Sequence, residues 1–469
     1  MSFASEFRDR ARVVASNLRH RQIIRTALGN YETARDRRKA TYQDWQGARQ
    51  LAAETKWEAI NHLDHYLLDF STRLEARGTK VHWASNASQA REIILSIVQE
   101  KQARSVIKSK AMTAEEIHLN EALEKAGLKV VESDLGELIV QLRRETPYHI
   151  VFPSMHLTRE EISALFEKEL GSAPTLDPEE LTMIARRVLR GKYLTADIGI
   201  TGGNFAVAET GMVSITENEG NARLTAALPK TMITLLGIEK IIPRLDDLAL
   251  FLPMLATMGA GQALTGYNTL YGGPRQPGEL DGPEEWHVVL LDNHRTELLA
   301  DGEQRDALHC IRCGACLNVC PIFRNVGGHT YGTTYSGPIG SVITPHLRGL
   351  QDWKHLSGAS SLCGACTETC PVKIDLHHHL LQNRRNAAQE RPDNLEEAAF
   401  GVFGWLTRRP AAWKTVRFIL QKIQPLTRQF QKKPWHPAKP WTQTRDLPVI
   451  PSESFRDWWK NRPKASKHD

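Results

Sequence analysis

Apolar residues recur at helical spacing along the beginning of the chain. Two segments, residues 7–28 and 41–74, are rich in Ala, Arg, Gln and Leu. In the second segment, apolar residues such as Leu63 and Leu67 fall on one face of a helix. This pattern predicts a helical N-terminal region, residues 1–75.

From residue 80 the pattern changes to short apolar runs that alternate with longer amphipathic ones. The short runs predict strands, and the amphipathic runs between them predict helices. The predicted strands are residues 81–84, 105–109, 128–132 and 286–292, and the predicted helices are residues 88–102, 113–126, 158–170 and 178–190. Thr113 and Glu116 resemble a capping box at the start of the second helix. This alternation predicts a mainly parallel sheet with helices on both faces.

A glycine-rich block at residues 197–223 has a different texture. Two strand-like runs meet at a turn, residues 209–211, and a polar loop follows. Asn204, Glu209 and Arg223 are candidates for lining a pocket that takes a carboxylate or a carbonyl compound. The alternative is that these loops only build tight turns at the rim of a sheet. The sequence has no G-x-G-x-x-G and no P-loop, so neither a dinucleotide nor a nucleoside triphosphate is indicated.

All seven cysteines lie in two related runs. The first is Cys310-Ile-Arg-Cys313-Gly-Ala-Cys316-Leu-Asn-Val-Cys320-Pro321. Its C-x2-C-x2-C-x3-C-P spacing is the one with which bacterial-type ferredoxins hold cubane iron–sulfur clusters. The second run repeats this spacing, with serine at its first position: Ser360-Ser-Leu-Cys363-Gly-Ala-Cys366-Thr-Glu-Thr-Cys370-Pro371.

The resemblance to ferredoxins implies two sets of cluster ligands. In two-cluster ferredoxins the fourth cysteine of a run binds the other cluster. Carried onto this chain, one [4Fe–4S] cluster would be held by Cys310, Cys313, Cys316 and Cys370. The second would be held by Cys320, Cys363 and Cys366, with Ser360 as the candidate fourth ligand and a [3Fe–4S] cluster as the alternative.

Two other uses of cysteine fit this chain poorly. A disulfide framework needs an oxidising compartment and usually an even number of cysteines. Structural zinc typically takes four ligands in pairs, without two C-x2-C-x3-C-P halves. Between the runs, the glycine- and tyrosine-rich segment 327–340 is expected to give backbone N–H groups to the clusters. His329 within it is either a ligand or a packing residue.

Composition and charge add information about location and partners. The 469 residues suffice for two to four domains. The first residues, Met-Ser-Phe-Ala-Ser-Glu-Phe-Arg, contain no apolar h-region and no twin arginine. The longest uncharged stretch, 248–274, contains proline and several glycines. We therefore expect a cytoplasmic protein.

The two ends of the chain are basic. Residues 1–50 carry 11 Lys/Arg against 5 Asp/Glu, and residues 401–469 carry 15 against 4. No nucleic-acid recognition motif accompanies them, so we expect no nucleic-acid partner. The basic, tryptophan-rich C-terminal end suits an acidic partner or a peripheral contact with an anionic membrane. Solvated helix faces and packing onto the protein itself are the alternatives.

Taken together, these segments resemble the lactate-utilisation protein B family, iron–sulfur proteins of bacterial L-lactate oxidation. Besides the cysteine runs, the resemblance is carried by Lys108-Ser-Lys-Ala-Met-Thr-Ala-Glu-Glu-Ile, Ser133-Asp-Leu-Gly-Glu137 and Gly199-Ile-Thr-Gly-Gly-Asn-Phe-Ala-Val-Ala-Glu-Thr-Gly211. It implies an α/β LUD domain, similar in fold to sugar-phosphate isomerases and CoA transferases, and an α-helical two-cluster ferredoxin-like domain. Helical extensions stand at both ends. The expected regions are 1–75 (helical), 76–300 (LUD), 301–385 (two-cluster) and 386–469 (C-terminal).

The resemblance also implies a function. The family works with two companion proteins, one cysteine-rich and one made mainly of a LUD domain, to convert L-lactate to pyruvate and permit growth on lactate. We therefore expect the electron-transfer component of a multi-subunit L-lactate oxidoreductase in the cytoplasm, with association to a membrane through its partners as the alternative. One alternative is a hydroxy-acid lyase that uses the incompletely ligated cluster as a Lewis acid. Another is a regulator that senses iron or redox state.

Overall fold

The computed structural model describes residues 2–391, 394–430, 433, 435–436, 439–442 and 445–462. The chain divides into a larger unit, Met1–Ala387, and a smaller one, Ala388–Asp469. The helical N-terminal region, the α/β region and the cysteine runs all belong to the larger unit.

Ten strands lie between residues 80 and 291. In chain order they are β1 Lys80–Ala84, β2 Ser105–Lys108, β3 Lys129–Glu132, β4 Ile198–Thr201, β5 Phe205–Val207, β6 Met212–Glu217, β7 Thr231–Gly237, β8 Ile241–Ile242, β9 Tyr267–Tyr271 and β10 Glu285–Leu291.

Helices make up most of the remaining described chain. Up to the cysteine runs they are α1 Phe3–Ser16, α2 Leu18–Lys39, α3 Trp45–Asn61, α4 Leu63–Glu75, α5 Ala87–Glu100, α6 Met112–Glu116, α7 Leu119–Lys125, α8 Leu135–Arg143, α9 Arg159–Leu170, α10 Pro178–Thr195, α11 Asn221–Ala227, α12 Leu248–Ala260 and α13 Arg295–Ala300. From there on they are α14 Ala315–Val319, α15 Phe323–Val326, α16 Gly337–Arg348, α17 Leu350–Gly358, α18 Ala365–Thr369, α19 Leu376–Glu390, α20 Asn394–Thr407, α21 Pro410–Thr427, α22 Lys439–Thr442 and α23 Phe455–Asn461. Short 3-10 turns lie at Ile238–Lys240, Arg305–His309, His329–Tyr331 and Arg428–Phe430.

Six strands form one parallel sheet in the order β1, β10, β7, β4, β2, β3. Its central strands β4 and β7 are buried along their whole length, as in parallel sheets that are covered on both faces. Helices α5 to α7 pack on one face, and α8 to α10 pack on the other. The predicted parallel sheet with helices on both faces is confirmed.

A second, four-stranded sheet carries the glycine-rich block. Its order is β8, β5, β6, β9, and β5 and β6 form an antiparallel hairpin. Gly211 closes that hairpin with φ +64°. A Cβ there would lie 2.7 Å from Arg73 Cβ. Both the positive φ and the lack of space therefore require glycine at this turn.

Three predicted helices are divided in the structure. The first, predicted at residues 7–28, breaks at Asn17. The helix predicted at residues 41–74 breaks at His62, and the one at residues 113–126 breaks at His118, where φ is +52°. The capping box predicted at Thr113 is wrong, because α6 begins one residue earlier and has no side-chain cap. Thr158 and Glu161 form one instead, at the start of α9.

The N-terminal helices pack against the cysteine-bearing part of the chain. Helix α1 contacts α15 and α17, and α2 contacts α12 and α15. Ile24 and Leu28 on α2 share one apolar core with Phe251, Leu317 and Phe323. Helices α1 and α2 therefore cover elements that follow the α/β region, about 300 residues later in sequence, whereas α4 packs on β1 and β8 of the α/β region itself.

The smaller unit holds α20 to α23. Helices α20 and α21 pack against each other, and Phe400, Trp405, Trp413 and Phe418 on them are exposed. Among the described residues, no helix has both the length and the apolar character needed to cross a membrane. A peripheral membrane contact by this unit stays a prediction.

Candidate metal centre and adjoining cavity

The two cysteine runs fold into the same local structure. Arg312 and Leu362 are left-handed, with φ +60° and +54°, and each stands two residues after the first position of its run. Gly314 and Gly364 follow with φ +76° and +81° and lead into α14 and α18. These backbone turns aim successive side chains of a run toward one point, as a cubane cluster requires.

Helices α14 and α18 pack together and so mix the two runs. The pKa of Cys313 is raised by burial and further by the neighbouring Cys310 and Cys370. The pKa of Cys366 is raised to about 11 by burial and by the neighbouring Cys320 and Cys363. The structure therefore brings Cys370 to the first run and Cys320 to the second.

Cys316 lies between the two groups. Burial raises its pKa first, followed by Cys310 and Cys313, while Cys366 of the other group also acts on it. We call Cys310, Cys313, Cys316 and Cys370 the inner group, and Cys320, Cys363 and Cys366 the outer group. Three of the inner cysteines are buried, whereas Cys363 of the outer group is exposed.

Backbone N–H groups point at several sulfurs. The Arg312 N–H donates to Cys310 Sγ and the Ile374 N–H to Cys370 Sγ, both at 3.4 Å. The Ile339 N–H, from the segment predicted to supply such donors, donates to Cys316. Thiolate ligands accept such bonds in iron–sulfur proteins, where they tune the potential. The donor set and its grouping fit two cubane clusters.

Ser360 accepts a hydrogen bond from the backbone N–H two residues later, as Cys310 does. The Leu362 N–H donates to Ser360 Oγ at 3.1 Å, as the Arg312 N–H does to Cys310 Sγ. Ser360 is half-buried beside the outer group's exposed Cys363. His329 is engaged elsewhere, since its Nε2 lies 2.7 Å from the Thr146 carbonyl oxygen and its ring packs on Tyr148.

Cations surround the inner group. Lys56, Lys240 and Arg312 all lie close enough to Cys310 for its charge to act on their pKa. Arg49 donates from Nε to the Cys370 carbonyl at 2.9 Å. Positive charge near a cluster favours its reduced, more negative state, so these residues raise the potential of a cluster held there.

A buried ion-pair network ties the first run to the α/β region. Arg312 NH2 lies 3.1 Å from Glu239 Oε1, and Glu239 also pairs with Arg295. Arg295 in turn forms a bidentate pair with Glu116, at 2.9 and 2.8 Å, and the Tyr335 hydroxyl donates to Glu116 at 2.6 Å. Burial alone would raise the pKa of Glu239, but Arg295, Arg312 and Lys240 lower it to about 2.

A cavity of about 330 Å³ adjoins the inner group. It opens at the carboxyl ends of β2 and β4, where parallel sheets bind ligands, and Lys110, Gly203 and Asn204 follow those strands in its wall. Arg312 and Tyr335 close it from the side of the cysteine runs. A Cβ on Gly203 would lie 2.5 Å from Leu236 Cδ2, so glycine lets the loop approach the sheet.

The wall of the cavity carries both signs of charge. Lys110, Lys240 and Arg312 line it together with Asp134, Glu217 and Glu219. Burial lowers the pKa of Lys240 to about 8 and, with Asp134 nearby, raises the pKa of Glu219 to about 7. The volume is at the lower end of small-molecule sites.

The structure separates the three residues that the sequence suggested for a pocket. Asn204 lines the cavity, and its Oδ1 accepts the Thr216 N–H at 2.9 Å. Glu209 is outside the lining and accepts the Leu245 N–H at 2.8 Å. Arg223 is also outside, stacked over Tyr267 at 5.2 Å.

Sequence reasoning missed the charged residues of this centre. Arg312 stands inside the first cysteine run and could have been noticed there. Lys56 and Lys240 carry no signal, because only the fold brings them to Cys310.

Comparison with known proteins assigns the three regions. Residues 67–291 match the family model described as LUD domain, and residues 306–374 match the 4Fe-4S dicluster domain. Residues 376–464 match Lactate utilisation protein B, C-terminal. A crystal structure of a DUF162 family protein from Deinococcus radiodurans covers 49% of this chain and 98% of its own, at 15% identity and a TM-score of 0.28.

Curated relatives match almost end to end. Lactate utilization protein B of Shouchella clausii is 45% identical over 457 residues, which are 96% of this chain and 95% of the relative. That of Bacillus subtilis is 43% identical over 456 residues, 95% of each. The chain belongs to the lactate utilization protein B family.

Proposed function

We propose that this chain is the iron–sulfur electron-transfer subunit of a system that converts L-lactate to pyruvate and allows growth on lactate. One observation carries the proposal: the inner cysteine group adjoins the cavity through Arg312, and the outer group reaches the surface at Cys363. Such an order, from a ligand cavity through a buried centre to an exposed one, suits transfer of electrons out of the protein.

The residues of each group have distinct tasks in this proposal. Cys310, Cys313, Cys316 and Cys370 hold the inner cluster, and Cys320, Cys363 and Cys366 hold the outer one with Ser360 or another group. Bound [4Fe–4S] clusters supply one-electron redox chemistry. Arg49, Lys56 and Arg312 balance charge at the inner group, while the ion-pair network fixes it against the sheet.

Two companions complete the system in this proposal, a cysteine-rich protein and a LUD-domain protein. Oxidation of L-lactate to pyruvate releases two electrons and two protons, the electrons together with the hydrogen on carbon 2 as a hydride when a hydride acceptor is present. The sequence has no flavin or nicotinamide motif to accept a hydride. We place that step with a companion. The chain is then one component of a multi-subunit oxidoreductase, located in the cytoplasm.

The lyase alternative is less well supported. A Lewis-acid iron would have to face the bound substrate. The outer group has the non-cysteine position, but Ser360 and Cys363 are not among the residues that line the cavity, whereas Arg312 of the inner run is.

The test is lactate-dependent reduction of the clusters. The chain is purified anaerobically with its two companions, and L-lactate is added while the visible absorbance of the clusters is recorded. We expect bleaching with pyruvate formed in proportion, and none with the chain alone. Cys320→Ala should slow re-oxidation by an added acceptor, because it damages the exposed end of the path. Lactate oxidation by the single chain, or consumption of lactate without reduced clusters, would refute the proposal.

A further inference from the structure

Lys240 is a buried cation without a fixed partner. Its side chain lines the cavity and is only 9% exposed. Within the described part of the chain, its Nζ has no hydrogen bond and no ion pair, although the charges of Glu239 and Cys310 are near enough to raise its pKa. By contrast Lys110, in the same wall, donates to the Val151 carbonyl at 2.7 Å. An ammonium group buried in this way costs free energy unless something pairs with it.

Arg312 lines the same cavity and is held rigidly there. Its NH2 is held by Glu239 and its guanidinium stacks over Tyr335 at 4.5 Å, so the group is fixed in place. Its NH1 is buried and, among the described residues, has no acceptor. After burial, Arg312 is the largest influence that lowers the pKa of Lys240, so the two cations are neighbours.

The acidic residues of the cavity do not satisfy these cations. Glu217 accepts the N–H groups of Ala222 and Arg223, at 2.6 and 2.9 Å. Glu219 accepts the Leu135 N–H and Asp134 accepts the Glu137 N–H, each at 3.0 Å. The acids are therefore held by backbone donors, and among the described residues none of them forms an ion pair with Lys240 or Arg312.

We propose that Lys240 and Arg312 bind the carboxylate of a small monocarboxylic acid that carries a hydroxyl or a carbonyl group on the adjacent carbon. Two cationic donors fixed side by side match the two oxygens of a carboxylate. With its Oδ1 held by the Thr216 N–H, Asn204 keeps its amide NH2 as a donor for the second oxygen function. A second carboxylate on the ligand would meet Glu217 and Glu219, which limits the site to monocarboxylates.

This inference rests on the proposed function and adds to it that this subunit itself holds the hydroxy or oxo acid, beside the inner cysteine group. The competing explanation is that both cations only balance the charge of a cluster at Cys310. The two explanations differ in whether a free carboxylate binds and in whether Lys240 controls that binding.

The test is equilibrium binding to the full chain with its clusters reconstituted, measured anaerobically by calorimetry without companions. L-Lactate and pyruvate should bind at one site per chain, and lactamide, which lacks the carboxylate, should not. Propionate, which lacks the second oxygen function, should bind more weakly than L-lactate. Malate should bind more weakly because of its second carboxylate.

Lys240→Met should weaken binding by at least about tenfold, with the iron content unchanged. The matched control is Lys230→Met, at an exposed position just before β7, where the lysine pairs with Glu284 at 3.4 Å. This variant should bind as the wild type does. Arg312→Gln should also weaken binding, but Lys240→Met decides, because Arg312 also holds Glu239.

Equal binding by Lys240→Met, equal binding of lactamide, or no saturable binding of any carboxylate would overturn the inference. A changed cluster potential in Lys240→Met without a change in carboxylate binding would establish charge balance as its role. Since binding is measured at equilibrium and without companions, it can succeed where lactate-dependent reduction fails, and the reverse.

Discussion

Ser360 has the backbone setting of a cluster ligand but the chemistry of an alcohol. A serine oxygen is a harder and far more basic ligand than a thiolate, and it stays largely protonated near neutral pH. Iron at this corner of the outer group should be held weakly. Mild oxidation of the reconstituted protein should therefore produce a [3Fe–4S] signal in electron paramagnetic resonance, and Ser360→Cys should suppress it.

Cysteine variants identify which cluster gives that signal. Cys316→Ala and Cys370→Ala should both damage the inner cluster, although 54 residues separate them in the sequence, and should leave the oxidation signal in place. Cys320→Ala should remove it. If the wild type keeps both cubes under oxidant and Ser360→Cys changes nothing, another group completes the outer site.

At the residue scale, spacing predicted the cysteines but not their surroundings. Cluster ligands are set by local geometry, so seven positions and Ser360 stand out in the sequence alone. Charge is different, because Lys56, Lys240 and Cys310 meet only after the chain has folded. The suggestion of Glu209 and Arg223 came from their position near the hairpin. Instead, the Glu209 side chain accepts the Leu245 N–H, and the Arg223 side chain stacks over the ring of Tyr267.

Among the elements, the first cysteine run depends on Glu239 for its attachment to the sheet. Glu239→Gln would leave Arg295 and Arg312 with one buried counter-charge fewer, since both pair with it. Losing one partner of a buried pair costs about 3–5 kcal/mol. Urea unfolding of the anaerobic holoprotein should show a loss of this size.

An exposed ion pair provides the control for that variant. Glu303 pairs with Arg385 on the surface, where both side chains are about half exposed. Glu303→Gln should leave the free energy of unfolding unchanged, because screened surface pairs contribute little. Equal free energies of unfolding for Glu239→Gln and the wild type would mean that Glu116 alone neutralises Arg295 and Arg312.

The boundaries of elements were harder to predict than their existence. Apolar periodicity continues through residues 41–74, yet α3 and α4 separate at His62. Asn17 divides α1 from α2, and its side chain caps α2 by accepting the His20 N–H at 3.0 Å. His118 adopts a left-handed conformation although it is not a glycine, so the sequence does not indicate the break there. Tertiary packing determines where such helices break, and the hydrophobic pattern alone does not predict these positions.

On the scale of the whole molecule, His149 joins the α/β region to the cysteine-bearing region. Its Nδ1 accepts the N–H groups of Val151 and Phe152, at 3.0 and 3.2 Å, and its Nε2 lies 2.9 Å from Asn318 Oδ1. Burial, helped by Lys110, lowers its pKa from 6.5 to about 3. The folded protein therefore needs this ring neutral.

That requirement makes the joint sensitive to acid. Unfolded His149 takes up a proton near pH 6.5 and folded His149 does not, so its contribution to stability is lost as the pH falls from 6.5 towards 3. In that range, the free energy of unfolding of the wild type should fall, relative to that of His149→Phe, by up to about 1.4 kcal/mol per pH unit. Urea unfolding of both proteins at several pH values, with iron content checked, measures this difference. A constant difference would mean that His149 can be protonated in the folded state.

The sequence predicted the parallel sheet, but not how the sheet, the N-terminal helices and the cysteine-bearing helices assemble. Strand–helix alternation and cysteine spacing are local signals. The packing of α1 to α3 over the cysteine-bearing helices depends on contacts between distant positions, such as Arg49 with the Cys370 carbonyl, 321 residues apart. No periodicity within residues 1–75 indicates that partner.

This separation has a consequence for biogenesis. At about 5–20 residues per second, the ribosome delivers Cys370 roughly 15–60 s after Arg49. Until Leu317 and Phe323 have been synthesised, the apolar faces of the nascent N-terminal helices, including Ile24 and Leu28, lack these residues of their shared core. A chaperone is needed most in this window, and iron delivered before the helices close meets cysteines that are still open to solvent.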